Sequence, residues 1–248
     1  MKSKIFIFLL ILSAIFLFSS CDKDEQTPEN NAGQVQETSE KNNEETGGDS
    51  MTKLLYQGHG SFRLTSQDGM VIYFDPYAGE GYNVPADIIL VTHQHSDHNQ
   101  ISLITQKDGC NIITNAEALE GGQHNSFAVN GIEIEAVEAS NKNHNIKECV
   151  GYIITIDGIK IYGAGDTSKT NQMETFAEKE IDYALLPCDG VYNMDLKEAA
   201  ECAEIIGAKN NIPIHMKPGE LFDRERAESF DAPNRLIVEA GEEIELTK

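Results

Sequence analysis

Beyond residue 50 the chain alternates short apolar runs with polar breaks, a rhythm that suits strands more often than helices. Residues 53–57, 61–65 and 71–74 are short, apolar and too closely spaced to house helices between them, which predicts an antiparallel meander. Asp87-Ile88-Ile89-Leu90 is a further apolar run. In Gly131-Ile132-Glu133-Ile134-Glu135-Ala136-Val137 the apolar positions recur at every second residue, the mark of a strand with one buried face. Residues 160–167 and 211–216 also read as strands. Helical spacing appears at 101–107, around Leu119 before a Gly-Gly stop, at 172–179, at 196–206 and at 221–230. The fourth is the best delimited, with Asp195 as N-cap and Gly207 as stop. Strand-rich halves with interleaved helices predict an α+β sandwich, and residues 51–248 are one domain's worth of chain. No internal repeat is visible.

The first 50 residues follow a different pattern. Lys2 and Lys4 precede an apolar run from Ile5 to Phe18 broken only by Ser13, and Ser19-Ser20-Cys21 follows. A basic start, a short apolar stretch and small residues are the parts of a secretory signal, and the run is short for a spanning helix, which needs about 20 residues. The segment resembles a bacterial lipoprotein signal, which implies removal of residues 1–20, lipidation at Cys21 and an exported protein anchored to a bacterial membrane. Residues 22–50 are polar, acidic and almost free of apolar side chains, so no core can form there. As a disordered tether this stretch would reach roughly 30 Å, enough to hold a domain clear of a lipid surface.

The candidate chemistry begins directly after the 87–90 run, in Thr92-His93-Gln94-His95-Ser96-Asp97-His98. In an extended segment side chains two apart point the same way, so His93 and His95 can close on one cation while Asp97 and His98 face another. Imidazole with carboxylate suits zinc first, with manganese or iron as alternatives. Two cations need more donors than four. His144 lies in a polar loop after the 131–137 strand, Asp166 ends a strand-like segment beside Gly163 and Gly165, and His215 ends another. Ligand chemistry at strand ends is where a sheet scaffold presents function. A lone histidine is more often a surface or satisfied core residue; the ordered set is what points to a metal centre. Asp75 ends a strand and either orients a ligand imidazole or caps the turn before Pro76. His59 is open between a place behind the ligands, a contact to substrate and simple packing. His124 reads as a solvated loop residue.

In the order HxHxDH, His, Gly-Asp-Thr, Pro-Ile-His, the chain resembles the metallo-beta-lactamase superfamily, over nearly all of residues 51–248. Gly58-His59-Gly60-Ser61-Phe62, Phe74-Asp75-Pro76, Leu186-Pro187 followed by Met194, and Ile212-Pro213-Ile214-His215 make it most similar to small metal-dependent hydrolases related to L-ascorbate-6-phosphate lactonase. The resemblance implies a four-layer αββα sandwich of two structurally similar halves with the site at one edge. It also implies His93, His95 and His144 on one cation, Asp97, His98 and His215 on a second, and Asp166 between them. No cysteine stands at the Asp166 position, a departure from true zinc beta-lactamases that argues against antibiotic hydrolysis.

Charge narrows the substrate. The formal net charge is −22, and the leader's two lysines make the rest more acidic still. Lys and Arg form no stripe, so nucleic-acid binding is not expected. Two divalent cations would dominate the local field, and a small anionic substrate stays open. Lys142, Lys147 and Lys217 flank the ligand loops but read first as solvated lysines. Cys110, Cys149, Cys188 and Cys202 show no CxxC spacing, and no disulfide pairing follows.

The expected activity is a metal-dependent hydrolase using a metal-bridged hydroxide on a small ester, lactone or related molecule outside the cytoplasm. Protonation of the leaving group falls to Asp97, His59 or bulk water. Asp189, Tyr192 and Met194 are expected to line the mouth. The alternatives are a phosphodiesterase or nuclease of the same fold, disfavoured by charge, and a non-catalytic metal-binding lipoprotein, disfavoured by a ligand set with open positions.

Overall fold

The computed structural model describes residues 50–248. The segment expected to be a signal, Cys21 and the acidic stretch up to residue 49 lie outside the described residues. Among the described residues no helix is long and apolar enough to cross a membrane.

Two six-stranded sheets carry the fold. The first has the order β12 (Glu243–Glu245), β1 (Lys53–Gly58), β2 (Ser61–Thr65), β3 (Val71–Phe74), β4 (Ala86–Leu90), β5 (Gln106–Ile113). The second runs β11 (Asn210–Ile214), β10 (Tyr183–Pro187), β9 (Ile159–Gly163), β8 (Val150–Ile156), β7 (Ile132–Glu138), β6 (Ser126–Val129). Within the first, β12 to β3 pair antiparallel and β3 to β5 parallel. The second repeats the mixture, antiparallel from β6 to β9 and parallel from β9 to β11. The expected early meander is β1–β2–β3, and the two sheets are the two similar halves.

Period-two alternation explains the continuous apolar runs. Ile72 and Phe74 of β3, with Ile88 and Leu90 of β4, enter the main core along with Ile134, Tyr152, Ile154, Ile161 and Leu185 of the second sheet. Their neighbours Val71, Tyr73 and Ile89 face the other way, into a smaller cluster with Ile104, Tyr82 and Val84. A strand buried on both faces has no polar side, which is why 71–74 and 88–90 read as unbroken apolar runs. The sheets approach closely at Gly163, where an added Cβ would lie 2.5 Å from the Phe74 ring.

Helices are few: α1 (Asn115–Ala118), α2 (Leu196–Ile206) and α3 (Arg224–Ser229). α2 has the expected limits, since the Asp195 carboxylate accepts from the Glu198 N–H and Gly207 closes the last turn in the left-handed region. Three helical expectations need correction. Residues 101–107 form only a 3₁₀ turn at Ile101–Leu103, and Gln106 already belongs to β5; Ile101 and Ile104, three apart, both pack on the outer cluster and give the spacing that mimicked a helix. Residues 172–179 lie in a 3₁₀ helix, Asn171–Lys179, with Met173 and Phe176 inward at i, i+3. In 221–230 only Arg224–Ser229 is helical, starting where Asp223 caps the Arg226 N–H.

Candidate metal centre

All the chemistry gathers beyond the carboxyl ends of strands. His93, His95, Asp97 and His98 follow β4, His144 follows β7, Asp166 follows β9 and His215 follows β11. His93, His95 and His144 each offer a nitrogen within 4.8 Å of the other two. His93 Nε2 and His144 Nε2 lie 3.1 and 3.2 Å from His95 Nδ1. Tetrahedral donors bound to zinc at ordinary lengths are about 3.3 Å apart, so the three nitrogens are spaced like ligands of one ion. A second group, His59, Asp97, His98 and His215, meets the same distance limit.

Asp166 stands between the groups. Its Oδ2 is 3.3 Å from His144 Nε2, while Oδ1 is 3.3 Å from His98 Nε2 and 3.6 Å from His215 Nε2. Those last three atoms, Asp166 Oδ1, His98 Nε2 and His215 Nε2, are buried without a hydrogen-bond partner. Buried polar atoms left unpaired cost about 1–3 kcal/mol each, and a shared cation would satisfy all three together. The donor set therefore fits metal ions.

Carboxylates and amides behind the imidazoles set their directions. Asp75 Oδ2 accepts from His98 Nδ1 at 2.8 Å and from the Thr92 hydroxyl at 2.6 Å, while Oδ1 accepts from the Thr92 N–H. With Nδ1 so engaged, His98 presents Nε2 to Asp166 Oδ1. Asp75 therefore lies where a residue that orients an imidazole should lie, and the Ser61 hydroxyl donates to its carbonyl. Gly165, at φ 62°, packs against Thr92, where a Cβ would come within 2.9 Å. Its close approach is to this supporting residue. Asn141 does for His144 what Asp75 does for His98, its Oδ1 lying 2.9 Å from Nδ1.

Charge follows this arrangement. Burial works against charge on His98, but Asp166 and Asp75 outweigh it and raise its pKa to about 9. Burial also raises Asp166, yet His98, His215, His93 and His144 together pull it down to about 2. His93, desolvated and facing His98, falls to about 2. Burial raises Asp97 as well, but the His59 ring beside it and the charge of His98 hold it well below the ordinary carboxylate range. The pocket thus holds anionic oxygens among nitrogens, the charge pattern that receives a cation.

Three of the ring-and-carboxylate residues have backbones in the left-handed region: His59 at φ 56°, Asp75 at 44° and His215 at 42°. Each costs of order 1–3 kcal/mol relative to relaxed backbone. Hydrogen bonds hold them there: His59 N–H to Leu221 O at 2.7 Å, His215 N–H to His59 O at 2.8 Å and Asp75 N–H to Leu90 O at 2.9 Å.

The model of the beta-lactamase superfamily domain matches residues 53–215. The chain belongs to the metallo-beta-lactamase superfamily. A UPF0173 metal-dependent hydrolase of Thermococcus kodakarensis is 32% identical over 226 residues, covering 79% of this chain and all of that one. The solved structure of a protein assigned as a metal-dependent hydrolase from Parabacteroides distasonis is 30% identical, with a TM-score of 0.63, over 75% of this chain and 92% of that one. A second, from Thermotoga maritima and described as a zinc-dependent hydrolase of the superfamily, is 27% identical with a TM-score of 0.54, over 73% and 87% of the two chains. This metallo-beta-lactamase-fold chain is a metal-dependent hydrolase, and its paired sheets with few helices are the αββα sandwich.

In this superfamily member the mouth differs from expectation at two of three positions. Tyr192 is half exposed and lines a cavity of ≈ 310 Å³ with His95, Asp97, Asn143, His144, Asp166 and His215. Met194 is fully buried in the main core. Asp189 is buried too: its Oδ1 accepts from the Val191, Tyr192 and Asn193 N–H groups, and its Oδ2 accepts from Asn193 Nδ2 and lies 3.0 Å from His215 Nδ1 in an off-axis contact. Sequence reasoning missed this role. The available signal was an acidic residue right after an apolar strand, the pattern that marked Asp75. His124 is half buried and belongs to neither imidazole group. Cys110, Cys149, Cys188 and Cys202 are unpaired. A larger hollow of ≈ 430 Å³ among β6–β9, crossed by the Lys179–Glu135 ion pair, holds none of the ligand-type histidines.

Proposed function

We propose that the chain is a two-cation hydrolase of small esters or lactones, in which His93, His95 and His144 hold one ion, Asp97, His98 and His215 the other, and Asp166 serves both. The observation that carries the reading is the convergence of three buried, partnerless atoms, Asp166 Oδ1, His98 Nε2 and His215 Nε2, beside a cavity that opens to solvent. When bound, two divalent cations supply a water of lowered pKa and polarise the oxygen of the bond to be cleaved. Asp166 keeps the two positions together with one oxygen toward each group. Asp75, Asn141 and Asp189 hold the imidazoles in direction, so little reorganisation is needed when substrate enters. Asp97, kept ionised, takes up a proton before it can return one to a leaving group.

The substrate class rests on the mouth. Its wall combines Asn143 with the half-exposed Tyr192, and Val191 and Ile146 stand exposed on the same two loops. Asn143 Nδ2 donates to Tyr192 O and Asn141 Nδ2 to Asn193 Oδ1, so the loops are tied together rather than loose. A small molecule with a polar scissile group and a modest apolar part suits such a rim. A relation to ascorbate-6-phosphate lactonase belongs to the same reading. So does the cellular setting, an exported lipoprotein joined through Cys21, supported by Lys2, Lys4, the apolar run and the acidic spacer.

The test is turnover of a panel of lactones and aryl esters against bis-p-nitrophenyl phosphate, each with and without chelator, alongside elemental analysis. Chelator-sensitive ester or lactone hydrolysis with close to two transition-metal ions per chain is expected. No more than trace metal after remetallation, or turnover of the phosphodiester alone, would refute the proposal.

A further inference from the structure

We infer that His59 is itself a ligand of the second cation position, sharing it with Asp97, His98 and His215; the inference rests on the two-cation reading above. The first argument is the direction of its ring. His59 Nδ1 is 3.2 Å from the Glu220 carbonyl oxygen, which can only accept, so Nδ1 carries the proton. Nε2 then faces Asp97 Oδ2 at 3.3 Å. A carboxylate has no proton to offer either, so the contact requires a second proton on the ring or a cation between the two atoms.

The surroundings decide between these. His59 and His215 rings lie with centroids 3.6 Å apart, and the His98 ring is 5.9 Å away. A cation held by Asp97 and His215 would lie within reach of His59 Nε2. A neutral ring with its proton on Nδ1 offers a lone pair at the same place. Distance agrees as well: one donor atom from each of His59, Asp97, His98 and His215 lies within 4.8 Å of the rest. His59 Nε2 and Asp97 Oδ2, 3.3 Å apart, have the spacing of neighbouring donors on one ion.

The backbone supplies an independent argument. His59 is buried and held at φ 56°, a conformation that glycine or asparagine adopts at lower cost. Its carbonyl accepts from the His215 N–H and from the Tyr56 hydroxyl, each at 2.8 Å, so the strained residue is welded to an expected ligand. From that position the imidazole packs beside Tyr77 and reaches the second donor group. It touches the ligand group and almost no solvent.

The chain has seven histidines, which makes the claim countable. The full chain is labelled with ¹⁵N-histidine, loaded with ¹¹³Cd²⁺, and examined for direct cadmium–nitrogen coupling. Six of the seven histidines should couple, every one except His124. His59→Asn, which tolerates the same backbone, should remove one coupling and weaken the second cadmium at least tenfold while leaving the first unchanged. Two bound cadmium ions with only five coupled histidines would overturn the role of His59 and leave the two-cation reading intact. Failure to bind two ions would remove both. The count on the unsubstituted chain stands even if His59→Asn does not fold.

Discussion

Asp189→Asn perturbs the centre without touching an expected ligand. The substitution keeps shape and one oxygen, so the three backbone N–H groups of residues 191–193 can still be served from one branch of the side chain. The other branch becomes an NH₂ facing Asn193 Nδ2 at 3.0 Å and His215 Nδ1 at 3.0 Å, and both contacts turn from donor–acceptor to donor–donor. Contacts to a charged acceptor contribute about 1.5–3 kcal/mol each, and the off-axis one to His215 belongs at the low end, so a loss of roughly 3–4.5 kcal/mol in the metal-free protein is expected. Losing a partner that orients a ligand imidazole lowers metal affinity by about 10–100-fold. That loss should fall on the second position alone, because His93, His95 and His144 make no contact with Asp189. Urea unfolding of the metal-free chain gives the first number, and zinc titration against a competing chelator gives the second. If Asp189→Asn binds both ions as tightly as the unsubstituted chain, the carboxylate does not direct His215 and the reasoning fails.

Other substitutions probe separate parts of the account. Asp166→Ala should abolish hydrolysis and weaken occupancy of at least one position, since two cations would face each other without a shared anion; full activity in a folded variant would assign the shared role to another carboxylate. Gly163→Ala places a methyl 2.5 Å from the Phe74 ring and 3.2 Å from Phe62, and overpacking of this kind costs about 1–3 kcal/mol. Thermal unfolding should show the loss, and an unchanged Tm would mean that the sheets separate freely there. Cys21→Ala should leave the hydrolase domain active but abolish lipid attachment, so that the chain keeps its leader or becomes soluble. Identical membrane partition and mass for the two chains would refute the lipoprotein reading.

Much of the scaffold was legible in the chain because strands buried on one or both faces leave a local record. β2 and β3 fall where the apolar runs at 61–65 and 71–74 predict them. α2 falls between its Asp195 cap and its Gly207 stop, both of which act within one turn of the helix. The failures share a cause. At 101–107 and 172–179 two inward residues three apart satisfy a 3₁₀ turn as well as a helix, and no local term separates the two. β5 escaped notice because Gln106–Ile113 is an edge strand, exposed along most of its length, so no alternation survives in its sequence.

By itself the sequence determined the donor inventory: four metal-competent side chains within six residues, and His144, Asp166 and His215 at later strand ends. Those residue types in that order pointed to cation chemistry. What only the tertiary structure decided is how they meet. Asp166 stands between two imidazole groups because β9 lies inside the second sheet with its end turned toward the end of β4 across the sandwich. Asp189 lies behind His215 because β10 and β11 pair in parallel, bringing residues 26 positions apart to neighbouring strand ends. For His98 and His215 direction is a property of packing, since the partner on the far nitrogen, Asp75 or Asp189, comes from the end of another strand, whereas His144 takes its partner Asn141 from its own loop.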